Sequence, residues 1–173
     1  LSFTESYSIA MRAKNLRSEA DTTRSATDLL GAAGLAAKRL PLAMLLERYF
    51  CGDDGAAHSL VREMAELAWG KAQAEHVKLK RVQADEMARK VLAWFAHGTC
   101  SACGGHGYEL IAGTPSLSEN ACKACHGSKR KPFRREFALE RLLIAEWLLA
   151  EVEREQAKAG PAAMAKLAPR LDL

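Results

Sequence analysis

Residues 98–135 read GTCSACGGHGYELIAGTPSLSENACKACHGSKRKPFRR. The stretch opens with Cys100-Ser-Ala-Cys103, closes with Cys122-Lys-Ala-Cys125 and runs straight into Lys129-Arg130-Lys131. A two-residue gap lets both sulfurs of a Cys-x-x-Cys turn face one ion, and zinc favours four soft thiolates. Cys100, Cys103, Cys122 and Cys125 are therefore expected to hold one Zn2+ per chain. Gly105, Gly107 and Gly127 follow the two pairs and supply the positive φ with which such a knuckle turns. Four thiolates close the coordination sphere, whereas hydrolytic zinc keeps a position open for water. The site thus reads as structural, His106 and His126 beside it read as surface histidines, and no catalytic residue is expected.

Charge points to a partner. The stretch carries six basic residues (Lys123, Lys129, Arg130, Lys131, Arg134, Arg135) against two acids (Glu109, Glu119), which equals the net +4 of the whole chain. A basic run leaving a rigid metal knuckle and leading into a helix at Pro132 suits phosphate contact, because a helix N-terminus presents N–H donors and the positive end of its dipole. Lys129, Arg130, Lys131, Arg134 and Arg135 are the expected nucleic-acid contacts.

On either side the sequence is helical. Residues 1–24 are expected to form an N-terminal arm, either a weak helix around 8–17 or a mobile segment. Thr27 or Asp28 is placed to cap a helix over Leu29–Arg39. Pro41 starts a second helix, LPLAMLLERYF, stopped at Gly52-Asp53-Asp54-Gly55. A third is expected over Ala56–Leu79, with Leu60, Met64, Leu67 and Ala68 on its apolar face. Lys78, Lys80 and Arg81 read as a favourable charge cluster at its C-terminus. Asp85 is the expected cap of a fourth helix that ends at Gly98, with Met87, Val91, Trp94 and Phe95 turned to the core. Pro132 opens a long helix to about Lys158, stopped by Gly160-Pro161. No strand-like alternation appears outside the metal loop, within which Gly107–Gly113 reads as a short hairpin arm. Cys51 reads as a core thiol.

The expected fold is mainly α: a helical domain (25–97), a zinc-binding insertion (98–131), a long C-terminal helix (132–159) and a tail (160–173). The 173 residues, 49% of them hydrophobic, support one real core, or a core plus a small metal module. No apolar run approaches a membrane span and no signal peptide is evident, so no membrane partner is expected. Cysteines confined to metal-ligand pairs fit a reducing, cytoplasmic setting.

In this order the motifs resemble the lambda-type Q antitermination proteins of bacteriophages. The resemblance is carried by Ser25-Ala-Thr-Asp-Leu-Leu-Gly-Ala-Ala-Gly-Leu-Ala, by Phe50-Cys51-Gly52, by Lys90-Val-Leu-Ala-Trp-Phe-Ala and by the two cysteine pairs with Gly105, Gly107 and Gly127. It covers about residues 25–130. It implies a helix-turn-helix-like DNA-binding unit split by the zinc loop, with flanking helices at 85–97 and from 132 onward. It also implies binding to double-stranded DNA at a phage late promoter, and engagement of the bacterial RNA polymerase holoenzyme with its sigma factor at a promoter-proximal pause. Polymerase would then read through pauses and terminators in the host cytoplasm. Self-association through apolar helix faces stays open. The knuckle sequence is also similar to the zinc domain of DnaJ co-chaperones, a protein-binding alternative, although the chain has two knuckles only and lacks a His-Pro-Asp tripeptide. A generic zinc-containing DNA-binding regulator is a further alternative, and thiol redox chemistry a third, disfavoured by full ligation of the cysteines.

Overall fold

The computed structural model describes residues 9–11, 40–111, 113–114 and 116–167, with backbone alone at 159–160 and 162–167. The expected helix over Leu29–Arg39 and the Thr27 or Asp28 cap lie outside these residues. Of the weak helix expected around 8–17, Ile9–Met11 are described and are helical.

Helix α1, Pro41–Phe50, begins on its proline, whose missing N–H removes a donor that a first turn leaves unpaired anyway. It buries Leu42, Ala43, Met44 and Leu46, each worth roughly 1.5–3 kcal/mol when large and fully buried. The chain leaves it through Cys51, buried as expected, and Gly52 at φ +86°. Helix α2, Asp54–Ala74, starts earlier than Ala56. Asp53 is the reason: its Oδ1 accepts the Ala56 N–H at 3.3 Å, while its Oδ2 accepts Nε and a terminal nitrogen of Arg48 at 2.8 and 2.6 Å. The Arg48 hydrogen bond also holds the Asp53 carboxyl below its ordinary range.

Along α2 every fourth residue is buried: Ala56, Leu60, Met64, Ala68 and Ala72. Leu67, expected on that face, is instead exposed. The helix also stops short of Leu79. His76 takes the left-handed φ of +55°, and the Val77 N–H folds back to the Ala72 carbonyl at 2.8 Å, which closes the last turn.

Helix α3, Arg81–His97, begins four residues before the expected cap at Asp85. The carboxamide of Gln83 reaches back to accept the Lys80 N–H at 3.0 Å, so the first turn is closed without an acidic cap. Asp85 instead pairs with Arg89 one turn on. Ala84, Met87, Ala88, Val91 and Leu92 are buried. A two-stranded antiparallel hairpin follows, β1 Tyr108–Leu110 with β2 Leu117–Ala121, pairing Tyr108 with Ala121 and Leu110 with Leu117 around a bulge.

Pro132 does not open an α-helix. Phe133–Glu136 form a single 3-10 turn, Phe137 is extended, and helix α4 runs over Leu139–Leu167. Phe133 and Phe137 explain the interruption. Their rings meet at a tilt of 46° with centroids 4.9 Å apart, and Phe133 meets Trp94 edge-on at 5.0 Å. At its far end α4 passes through Gly160-Pro161. Proline removes one backbone donor, and the surrounding alanines are the strongest helix formers, so the helix continues where a stop was expected. Ile144, Ala145, Leu148 and Val152 are its buried stripe.

The fold is thus mainly helical, with a four-cysteine cluster in an inserted hairpin region. The chain divides into two compact units, Leu1–Met64 with Ala150–Leu173, and Ala65–Leu149. The second contains α3, the hairpin, the 3-10 turn and all four clustered cysteines. Among the described residues, no helix is long and apolar enough to cross a membrane.

Candidate metal centre

The Sγ atoms of Cys100, Cys103, Cys122 and Cys125 all lie within 4.8 Å of one another, and all four residues are buried. Four sulfurs at the corners of a tetrahedron around zinc, each about 2.3 Å from the ion, stand about 3.8 Å apart. The Cys103–Cys125 separation is 3.7 Å, far beyond a disulfide bond and close to that spacing. The donor set is all sulfur, closed and shielded from water, which fits a structural metal and leaves no open position for a reacting group. The expected four-cysteine metal site is therefore assembled in the structure.

The backbone builds it. In the first knuckle the Gly105 N–H bonds the Cys100 carbonyl at 3.1 Å and the His106 N–H bonds the Cys103 carbonyl at 3.0 Å. In the second, His126 N–H bonds the Cys122 carbonyl at 2.7 Å and Ser128 N–H the Cys125 carbonyl at 3.0 Å. Gly107 joins the two. Its N–H points at Cys103 Sγ at 3.3 Å and its carbonyl accepts the Cys122 N–H at 2.9 Å. It sits at φ +85°, and an added Cβ would come within 3.0 Å of the Gly127 carbonyl oxygen. Only glycine fits that crossing.

The four thiols are not equivalent. Burial pushes Cys103 up, but hydrogen bonds from the Gly107 and Gly105 N–H groups and from Cys100 and Cys125 together outweigh it and hold the thiol at about 7, below its ordinary 9.0. Burial dominates at Cys125 and pushes it to about 11. N–H groups directed at sulfur favour the thiolate, the form that binds a metal. His106 and His126 are exposed, as expected, outside the sulfur cluster.

The module is pinched at its base. Cys100 N–H bonds the Lys129 carbonyl at 2.9 Å, Lys131 N–H bonds the Gly98 carbonyl at 2.7 Å, and Thr99 faces Arg130 across this antiparallel bridge. Everything between residues 100 and 129 is therefore an excursion whose two ends meet at the end of α3.

The basic residues then separate into two kinds. Arg130 is engaged within the protein: its guanidinium lies 3.9 Å above the Trp94 ring and donates to the carbonyls of Trp94 and Phe95 at 3.1 and 3.0 Å. Those carbonyls belong to the last turn of α3, which lacks helical partners for them. Trp94 replies with its indole N–H, donated to the Lys131 carbonyl at 2.9 Å. Arg134 pairs with Glu146 at 2.8 Å. Lys129, Lys131 and Arg135 are exposed and form no ion pair among the described residues. None of the five lies in an α-helix, because α4 begins at Leu139, so the expected helix-N-terminal setting for the basic run is corrected.

Sequence reasoning misses the part played by Trp94, which it assigns wholly to the core, and reads Gly98 as the stop of α3, which it is, without its crowding. An added Cβ at Gly98 would fall 2.3 Å from the Trp94 carbonyl oxygen and 3.0 Å from the Arg130 guanidinium. Nothing in the sequence signals a contact between residues 36 positions apart. No family model, curated protein or solved structure matches the chain.

Proposed function

We propose that the chain is a zinc-containing, DNA-binding transcription antiterminator of the lambda-type Q kind, which engages RNA polymerase paused near a phage late promoter. The observation that carries the reading is the pinched metal module. A loop closed by four cysteines returns to the end of α3 and releases a basic segment, Lys129 to Arg135, in the part of the chain that holds the net charge. The order of the Ser25–Ala36, Phe50–Gly52, Lys90–Ala96 and cysteine motifs adds the antitermination assignment. On this reading zinc fixes the spacing between α3 and the segment after it as a split helix-turn-helix-like unit, and Lys129, Lys131 and Arg135 meet phosphates. Arg130 holds the module in place.

Read-through of a terminator by purified polymerase on a template with a phage late promoter tests the assignment. Increased read-through is expected; no increase on a template whose DNA the protein binds overturns it. The second reading, a zinc module for protein binding of the DnaJ kind, is favoured by one feature. Tyr108, Leu110, Ile111 and Leu117 of the hairpin are all exposed. Suppression of aggregation of an unfolded client, with no DNA binding, is the result that selects it.

A further inference from the structure

The turn between α2 and α3 and the first turn of α4 border an open, polar cleft of about 580 Å3. Lys78, Lys80 and Arg141 face it against a single carboxylate, Glu140, with His76 and Gln83 adding polar groups. Nearby cations are neutralised: Lys71 by Glu75 at 2.6 Å, Lys90 by Glu86 at 3.0 Å, and Arg81 by Glu66 while stacked 4.0 Å over Trp69. Lys78, Lys80 and Arg141 form no ion pair among the described residues. Three unpaired cations in one concavity carry a local excess that sequence counting hides, since the chain outside the metal loop is balanced overall. Concave surfaces of one sign focus field and concentrate counter-ions.

Both Lys point charges and the Arg fork suit phosphate oxygens. The cleft is also linked to the basic exit of the metal module. Gln83 and Arg141 border an adjoining cavity of about 150 Å3 together with Phe137. Phe137 touches Phe133 with the rings tilted, Phe133 meets Trp94, and Trp94 lies under Arg130. Gln83 and Trp94 stand eleven residues apart on α3, roughly 16 Å along its axis. A duplex covers that distance in about five base pairs.

We infer that the cleft of Lys78, Lys80 and Arg141 is a second phosphate-binding site, which takes the backbone of the same nucleic acid that meets Lys129 and Lys131. The inference rests on the DNA-binding reading and extends its footprint along α3. It replaces the assignment of Lys78 and Lys80 to a helix C-terminal charge cluster, since α2 ends at Ala74.

The test is the salt dependence of binding to a short duplex by the full chain loaded with zinc. Lys78→Gln with Lys80→Gln is expected to flatten the plot of log K against log salt by about 1.8, and Arg141→Gln by about 0.9. Lys78→Arg with Lys80→Arg restores the slope. Zinc content and thermal melting, measured alongside, stay at the wild-type level in all of them. In the wild type, duplex shifts the amide resonances of His76 and Gln83. An unchanged slope in the Gln variants, with Lys129→Ala and Lys131→Ala still flattening it, overturns the cleft and leaves the DNA reading intact. Absence of duplex binding by the wild type overturns both. Competition by a poly-glutamate peptide as strong as that of duplex at equal charge assigns the cleft to an acidic protein segment and overturns the nucleic-acid site.

Discussion

The guanidinium of Arg130 lies 3.9 Å over the indole of Trp94 and caps the carbonyls of Trp94 and Phe95. One side chain from the outgoing strand of the metal module thereby closes the helix that leads into it. The stack contributes on the order of 1 kcal/mol at a partly exposed site, and charge-assisted hydrogen bonds add about as much or more.

Arg130→Ala is accordingly expected to destabilise the protein by about 2 kcal/mol, and Arg130→Lys, which keeps the charge but loses the planar fork, by about half of that. Denaturant unfolding with an unchanged m value measures it. A loss below roughly 0.5 kcal/mol for the alanine variant contradicts a structural role, since surface substitutions fall within that range.

Gly98 and Gly70 respond in opposite directions to the same added methyl. At Gly98 the methyl meets the Trp94 carbonyl and the Arg130 guanidinium, both fixed by the contact above. Gly98→Ala should cost about 1–3 kcal/mol, the usual penalty for forcing atoms into occupied space. Gly70, inside α2 about one turn from its C-terminal end, has no heavy atom within 4 Å of where an alanine methyl would stand. Gly70→Ala should stabilise by roughly 0.5–1 kcal/mol through helix propensity. Equal melting temperatures for the two variants contradict the crowding at Gly98.

Zinc content near one per chain is expected, lost in Cys122→Ser together with the hairpin's amide protection, because the binding energy of a closed sulfur site is folding energy. The pH dependence has a definite sign. Cys125, pushed up to about 11, carries its proton at neutral pH in the metal-free cluster, while Cys103, held at about 7, is partly ionised. Metal must expel the protons that remain, so affinity rises with pH and falls as pH drops through about 7, where Cys103 is protonated as well. In titration calorimetry the apparent binding enthalpy should change with the ionisation enthalpy of the buffer; a buffer-independent enthalpy at about pH 8 rules out proton release.

How far the chain can be read in advance follows from the range of each interaction. The cysteine pairs are local chemistry with fixed spacing, and the four sulfurs converge as their sequence suggests. The helix at Pro41 is equally local. The onset of α3 is displaced from Asp85 because a glutamine three residues after Lys80 closes the turn, a weaker signal than an acidic cap. The stretch after Pro132 departs from expectation for a different reason. Proline there is compatible with a first helical turn, but the rings of Phe133 and Phe137 are drawn into a row with Trp94, and tertiary packing outweighs the local preference. Arg130 illustrates the same limit. In sequence it is one member of a basic run; in the fold its charge is already used.

That division of labour within the basic run gives the last prediction. If Lys129, Lys131 and Arg135 meet phosphate, Lys129→Ala with Lys131→Ala removes two phosphate contacts and flattens the salt dependence of duplex binding by about 1.8. Arg130→Ala acts otherwise. It lowers stability, and at a temperature where the variant remains folded it leaves the slope at the wild-type value, because a guanidinium committed to Trp94 and two backbone carbonyls releases no DNA counter-ion. Arg134→Ala is intermediate in principle, since its partner Glu146 at 2.8 Å competes with phosphate and an exposed pair of this kind is worth less than about 1 kcal/mol. The measurement is the slope for each variant on one duplex over one salt range. An Arg130→Ala slope reduced as much as that of a lysine variant shows that the guanidinium leaves Trp94 for phosphate on binding; a lysine pair without effect removes the basic segment from the interface.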